Sequence, residues 1–146
     1  MNDPFGSRWS PQMLSVLRIV VALLFLQHGL TKLFGFPGHQ PPNFNLFTID
    51  PGLAGVIETF ASLALLFGFY SRWAAFIMSG EMAIAYWAAH VPNGLNRAGT
   101  MGLIPYNNGG NLVILYCFVF LYIAFAGPGP WSIDAQRVQG ARQAVA

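Results

Sequence analysis

An all-α architecture, with four helices bundled across a lipid bilayer, follows from three features of this 146-residue chain. Hydrophobic residues make up 55% of it. Charged residues make up only 8%, against roughly 25% in an ordinary soluble domain. Long uncharged runs such as IVVALLFL and VILYCFVFLYIAF are the third feature, and they lack the period-two alternation of a membrane barrel. Seven basic and five acidic residues cannot cover the surface of a water-soluble globule of this length. Disorder is excluded because disordered chains are poor in apolar residues. A formal charge of +2 is too small and too scattered to be a nucleic-acid footprint. Cys117 is the single cysteine, so the chain has no intrachain disulfide and no CxxC redox or zinc motif. The length suits one domain, residues 1–146.

A bilayer core of about 30 Å takes roughly 17–25 helical residues to cross. Four stretches meet that length, approximately residues 13–34, 53–70, 73–90 and 109–126. The first is preceded by MNDPFGSRWSPQ, which carries an acid and two prolines. That segment reads as a short cytoplasmic tail entering an uncleaved span rather than as a signal peptide. Ser10-Pro11 is the expected helix start, since proline suits a first helical turn. Spans two and three are separated only by Ser71 and Arg72, which demands a tight antiparallel pair. The fourth span lies in the long uncharged interval between Arg97 and Asp134. Arg8, Arg72, Arg137 and Arg142 fall on one side and Lys32 and Arg97 on the other. The basic residues therefore put both termini in the cytoplasm, where Trp9, Trp73 and Trp131 anchor the same interface.

The loops 35–52 and 91–108 are each 18 residues long and rich in Pro, Gly and Asn. Loops of that size are lids or poorly ordered linkers. The two halves also echo each other: span one ends at His28 before Gly-Phe-Pro-Gly, and span three ends at His90 before Val-Pro-Asn-Gly. A parallel repeat of two helical hairpins accounts for this, as do two unrelated hairpins with similar loops.

Ionisable groups at the bilayer centre cost about 2.5–3.5 kcal/mol or more, so Arg18, Glu58 and Glu81 need partners. Arg18 lies about 9 Å inside the cytoplasmic end of span one, and Glu81 roughly 12–14 Å in on span three. Matched depth and opposite charge predict an Arg18–Glu81 ion pair, either a structural clamp or part of a proton or substrate path. Arg18, His28 and Lys32 fall within an arc of roughly 80° on span one, so that stripe is expected to face the bundle interior. His28, Lys32, Glu58, His90 and Asn111 together are the candidate lining of a ligand cavity towards the outer side. Glu81 and His90 are nine apart and point to opposite faces of an ideal helix, so both face inward only if span three bends or is enclosed on two sides. Lys32 alternatively snorkels to the headgroups. No metal-ligand spacing is present, and haem is disfavoured because His28 and His90 match only roughly in depth. His39 reads as a solvated loop residue. Ser71, Ala75, Ser79 and Ala83 recur every four residues, a helix-packing stripe or a homodimer seam. Cys117, mid-span among aromatics, reads as an inert small hydrophobe.

These residues resemble the DoxX family of small bacterial inner-membrane proteins. The resemblance rests on HGLTKLFG at 28–35, on Gly55 and Glu58, and on Arg72 and His90. It extends to Asn-Gly-Gly at 108–110 and to GPGPWSID, which ends at Asp134. It runs over roughly residues 14–134, with two departures: Asn111 stands where similar proteins commonly carry Glu, and Ala61-Ser62 where paired glycines are usual. It implies a four-helix, multi-pass protein of the bacterial inner membrane, linked to redox physiology through quinone, thiosulfate or oxidative-stress chemistry. The first functional expectation is therefore a redox-associated subunit that binds a quinone or other small hydrophobic ligand in a polar-lined cavity, with the lipid bilayer as its solvent. A small transporter is the second, and a membrane scaffold for a soluble redox partner the third. A homo-oligomer is compatible with each.

Overall fold

The computed structural model describes residues 6–38, 45 and 47–145. His39 lies outside the described residues. Among them the only regular structure is helical: α1 (Gly6–Phe34), α2 (Ala54–Phe67), α3 (Ser71–Ala85), α4 (Val91–Ala98), α5 (Pro105–Asn108), α6 (Asn111–Ala126) and α7 (Ile133–Val145). A turn broken by an extended Asp50 precedes α2 over Ile49–Leu53, a wider π turn follows α3 over Tyr86–His90, and a 3₁₀ turn spans Gly99–Leu103. The helices over Arg8–Phe34 and Ile49–Phe67, 27 and 19 residues long, are each long and apolar enough to cross a membrane. Helix α6 is shorter, at 16 residues, and apolar on every face.

The α1 helix starts earlier than the Ser10-Pro11 signal predicts, because Pro11 sits inside it. A proline near the start removes one backbone bond, its own missing N–H, and the helix tolerates that loss. One turn on, Ser15 Oγ donates to the Pro11 carbonyl at 3.4 Å.

Four long helices form a ring in which α1 packs on α2, α2 on α3 and α3 on α6, with a narrower α1–α6 contact closing it. Phe25 makes that closure, meeting Tyr116 and Phe120 edge-to-face with centroids 5.1 Å apart. Leu65, Met78, Phe120 and Ile123 complete the buried apolar centre. The small-residue stripe of α3 packs inside the chain: Ser71, Ala75 and Ser79 are buried. Ser79 Oγ also donates to the Cys117 carbonyl of α6 at 2.9 Å. Large apolar side chains instead cover the outside, Phe118 at 64% and Phe125 at 75% exposure among them. A soluble surface does not carry such a belt, whereas lipid requires one.

The tight α2–α3 connection is built on Gly68. Its φ of +71° makes a left-handed C-cap, with Gly68 N–H donating to Leu65 O at 3.1 Å and Phe69 N–H to Ala64 O at 2.8 Å. A side chain there would also collide with Ser132. Asp134 at the start of α7 accepts from the N–H groups of Tyr70 and Ser71 at 2.9 and 2.8 Å. It thereby caps the positive end of α3 and ties α7 to the turn.

At the opposite end the chain departs from the expected long loop, since residues 91–108 are mostly helical. Gly94 and Gly102 allow this, because a Cβ on either would strike the backbone of the other. The Asn108 side chain donates to Gly102 O at 3.0 Å and accepts from Gly110 N–H at 2.8 Å, closing the cap.

Candidate functional site

The candidate site forms where α1 and α2 touch most closely. A Cβ on Gly29 would overlap Thr59, and one on Gly55 would press on Lys32 and Leu33 at about 3 Å. With no side chains at those two crossings, Lys32 lies directly over the first turns of α2. Its Nζ reaches Glu58 Oε1 at 2.9 Å and Asp50 Oδ1 at 3.0 Å. Glu58 is almost fully enclosed, with its side chain 3% exposed, whereas Asp50 is 68% exposed. Lys32 therefore bridges a buried acid and a surface acid rather than snorkelling freely. Thr48 orients the Asp50 turn, its Oγ1 accepting from Gly52 N–H at 3.2 Å.

Glu81, on α3, lies within electrostatic range of Glu58, Lys32 and Asp50 but hydrogen-bonds to none of them. Both of its carboxylate oxygens, and Glu58 Oε2, are buried with no hydrogen-bond partner among the described residues. Buried polar groups of native proteins are rarely left so, and each such group calls for an explanation. Glu81 also stands in the wall of a groove of about 350 Å³ between α2 and α3, otherwise lined by apolar residues including Leu53, Ile57, Phe76, Ile77 and Ile84.

The expected Arg18–Glu81 ion pair does not form. Arg18 is fully buried and spends its donors on backbone carbonyls. Nε donates to Pro128 O at 2.8 Å, Nη2 to Trp131 O at 2.6 Å, and Nη1 to Leu66 O at 2.9 Å and to Leu65 O. The physical reason is that the last turn of α2 and the Pro-Gly segment after α6 end at the depth of Arg18. Their unsatisfied carbonyls form an acceptor cage, and a cation suits a helix C-terminus.

The remaining predicted residues do not converge. His28 is exposed instead of facing the bundle interior; its ring stacks on Phe25 at 5.4 Å and its Nδ1 lies 3.3 Å from Leu24 O. The stripe breaks there because Phe25, one turn earlier, fills the bundle centre. His28 still lies within electrostatic reach of Glu58. His90 is half-buried with Nδ1 3.1 Å from Asn108 O, so it secures the cap. Asn111 is exposed on the first turn of α6, while Asn108, three residues earlier, is the buried asparagine of that motif. A π turn over Tyr86–His90 closes span three. One extra residue in a turn lowers the Glu81–His90 offset from about 180° to roughly 80°. Asp50, the capping role of Asn108 and the carbonyl cage are not legible from residue spacing. The signal for the cage was GPGPWS itself, a non-helical run whose carbonyls need donors. Among the described residues no group of three or more His, Cys, Asp or Glu side chains converges to hold a metal ion.

Comparison with known proteins accounts for the composition and the motifs. The DoxX family model matches residues 13–91, which include the Lys32–Glu58 seam, Glu81 and His90. An uncharacterized protein of Haemophilus influenzae is 43% identical over 130 residues, covering 87% of this chain and 92% of its own. The inner membrane protein YqjF of Escherichia coli K12 is 30% identical over 128 residues, covering 82% of this chain and 87% of its own. No solved structure matches the chain. The apolar exterior and these relatives place the protein in the bacterial inner membrane. The family match over more than half of its length and the relatives along nearly all of it agree: the chain belongs to the DoxX family.

Proposed function

We propose that this protein is a redox-associated membrane subunit that binds a quinone, or another small hydrophobic molecule with a polar head, where the α2–α3 groove meets the charge cluster of Lys32, Glu58 and Glu81. The observation that carries the reading is the set of three buried carboxylate oxygens without partners, two of them on a residue that also walls an apolar groove. Ligand sites are generally apolar clefts of about 300–1,000 Å³ with a few convergent polar groups. The groove supplies the apolar part and accommodates the ring and the start of a tail. The cluster supplies the polar part: a phenolic O–H of a reduced ring donates to Glu81 or Glu58, and a carbonyl of an oxidised ring accepts from Lys32. The oxygens lie behind the groove wall, so Glu81 swings towards the groove when the head enters. His28 stands at the edge of this site through its interaction with Glu58, His90 holds the cap above it, and Asn111 takes no part. Orientation with both termini in the cytoplasm is supported by Arg8, Arg72, Arg137 and Arg142 at that end against Lys32 and Arg97 at the other.

The transporter reading has no comparable support. The stripe of α1 that would line a path is closed by Arg18, whose guanidinium is caged, and by Phe25 packed on Phe120. The deciding experiment starts with organic extraction and mass analysis of gently purified protein, followed by thermal unfolding with a short-tailed ubiquinone analogue. Co-extracted quinone, or a rise in Tm that disappears in Glu81→Leu, supports the reading. No co-extracted hydrophobe and an unchanged Tm overturn it.

A further inference from the structure

The end of the bundle that carries both termini holds a second cavity, of about 800 Å³, between the start of α1, the α2–α3 turn, the end of α6 and α7. Two arginines, Arg72 and Arg142, line it beside Tyr70, Trp73 and Tyr122. Asp134 lines it as well, but its carboxylate is already engaged by the N–H groups of Tyr70 and Ser71 and by Ser71 Oγ at 2.9 Å. Arg72 is held in place, its Nη1 donating to Ala124 O at 2.8 Å and Phe125 O at 2.6 Å at the last turn of α6. Helix α7, which carries Arg142, is fixed against the turn in two ways. Asp134 N–H donates to Gly68 O at 2.9 Å, and the Arg137 guanidinium lies 4.7 Å over the Phe69 ring.

The level of this cavity matters as much as its charge. It opens where α2 and α6 end and α3 begins, the depth at which the apolar belt gives way to the headgroup region. The largely exposed indoles of Trp73 and Trp131 mark that depth. Two cations at that depth, beside aromatic and apolar walls, suit a phosphate whose attached chains run down a lipid-facing surface. Basic pockets between membrane helices bind anionic headgroups in this way. We infer that this cavity is a binding site for the phosphate headgroup of an anionic phospholipid, clamped between Arg72 and Arg142.

The test uses the full chain purified in mild detergent, with thermal unfolding and native mass spectrometry as readouts. The ligands are phosphatidylglycerol, phosphatidylcholine and inorganic phosphate, each added separately. Phosphatidylglycerol is expected to raise Tm and to stay bound in the gas phase, with phosphatidylcholine doing neither. Arg142→Gln is expected to weaken phosphatidylglycerol binding about fivefold, the effect of one basic residue near a lipid phosphate. Arg97→Gln, on α4 at the other end, is expected to change nothing. Arg72 also caps α6, so Arg142, exposed on α7, carries the test. Equal stabilisation by both lipids, or equal phosphatidylglycerol binding by Arg142→Gln and the parent, overturns the inference. Stabilisation by inorganic phosphate equal to that by phosphatidylglycerol overturns the lipid assignment and leaves a site for the free anion.

Discussion

Replacing Arg18 with methionine keeps a long apolar stem in the bundle and removes every side-chain donor from the carbonyl cage. Leu65 O keeps a partner, the Gly68 N–H at 3.1 Å. The carbonyls of Leu66, Pro128 and Trp131 lose theirs. At about 1 kcal/mol for each orphaned acceptor, the low end of the range for groups near a bundle end, the loss is about 3 kcal/mol. Counting instead the four hydrogen bonds at the average of about 0.6 kcal/mol measured between membrane helices gives about 2.4 kcal/mol. The two routes agree on a destabilisation of about 2–3 kcal/mol. Arg18→Lys keeps the charge but not the fork of donors, and is expected to lose about half as much. Unfolding in mixed micelles measures both, and hydrogen exchange over residues 128–134 localises the effect. A double-mutant cycle between Arg18 and Glu81 separates the cage from the alternative of an ion pair. The cage predicts coupling below about 0.5 kcal/mol, as for sites sharing no partner. A stability loss under about 0.5 kcal/mol in Arg18→Met, or strong coupling to Glu81, would refute the reasoning.

Three further expectations follow from the charge cluster and its setting. Glu81→Leu removes two buried oxygens without partners, so it is expected to stabilise the protein by about 1–3 kcal/mol in the same unfolding assay while abolishing the response to a quinone analogue. Lys32→Met leaves Glu58 buried beside Glu81 with no cation, and is expected to cost about 3–5 kcal/mol; the Lys32→Met/Glu58→Leu double variant should recover most of it. Gly29→Ala drives a methyl group into Thr59 at the α1–α2 crossing. It is expected to cost about 1–3 kcal/mol, and a crosslink between cysteines placed on the two helices near Lys32 and Glu58 should form more slowly.

The all-helical bundle was legible because it depends on bulk quantities: apolar run length and the spacing of charges do not need tertiary detail. The α2–α3 hairpin was legible for the same reason, since two residues leave no room for anything but a tight turn. The site was legible in part. Lys32 and Glu58 stand out as ionisable residues in spans, but their meeting depends on Gly29 and Gly55, whose role appears only when two helices cross. The Arg18 assignment failed because the sequence shows side-chain charges and hides backbone carbonyls. The opposite charge at matching depth is Glu81, whereas the actual partners carry no charge and come from two helix ends brought together by the fold. Asn108 is legible only as part of the Asn-Gly-Gly motif: the NGGN run offers two asparagines, and the cap geometry of Gly94 and Gly102 decides which is buried.

Arg18 and Glu81 show two ways of placing an ionisable group in a bundle, and the contrast bears on function. Each donor nitrogen of Arg18 finds an acceptor, so the arginine locks three chain segments together and asks nothing of the surroundings. Glu81, on α3, has no hydrogen-bond partner for either oxygen among the described residues and sits beside an apolar groove. If both were structural, replacing either with an apolar residue should move stability in the same direction. The geometry instead predicts opposite signs: loss for Arg18, gain for Glu81. A membrane protein keeps a destabilising carboxyl group in its core where that group meets something the fold itself does not supply. That sign difference, measured in one unfolding assay, distinguishes a scaffold residue from a ligand-binding one without any ligand being known in advance.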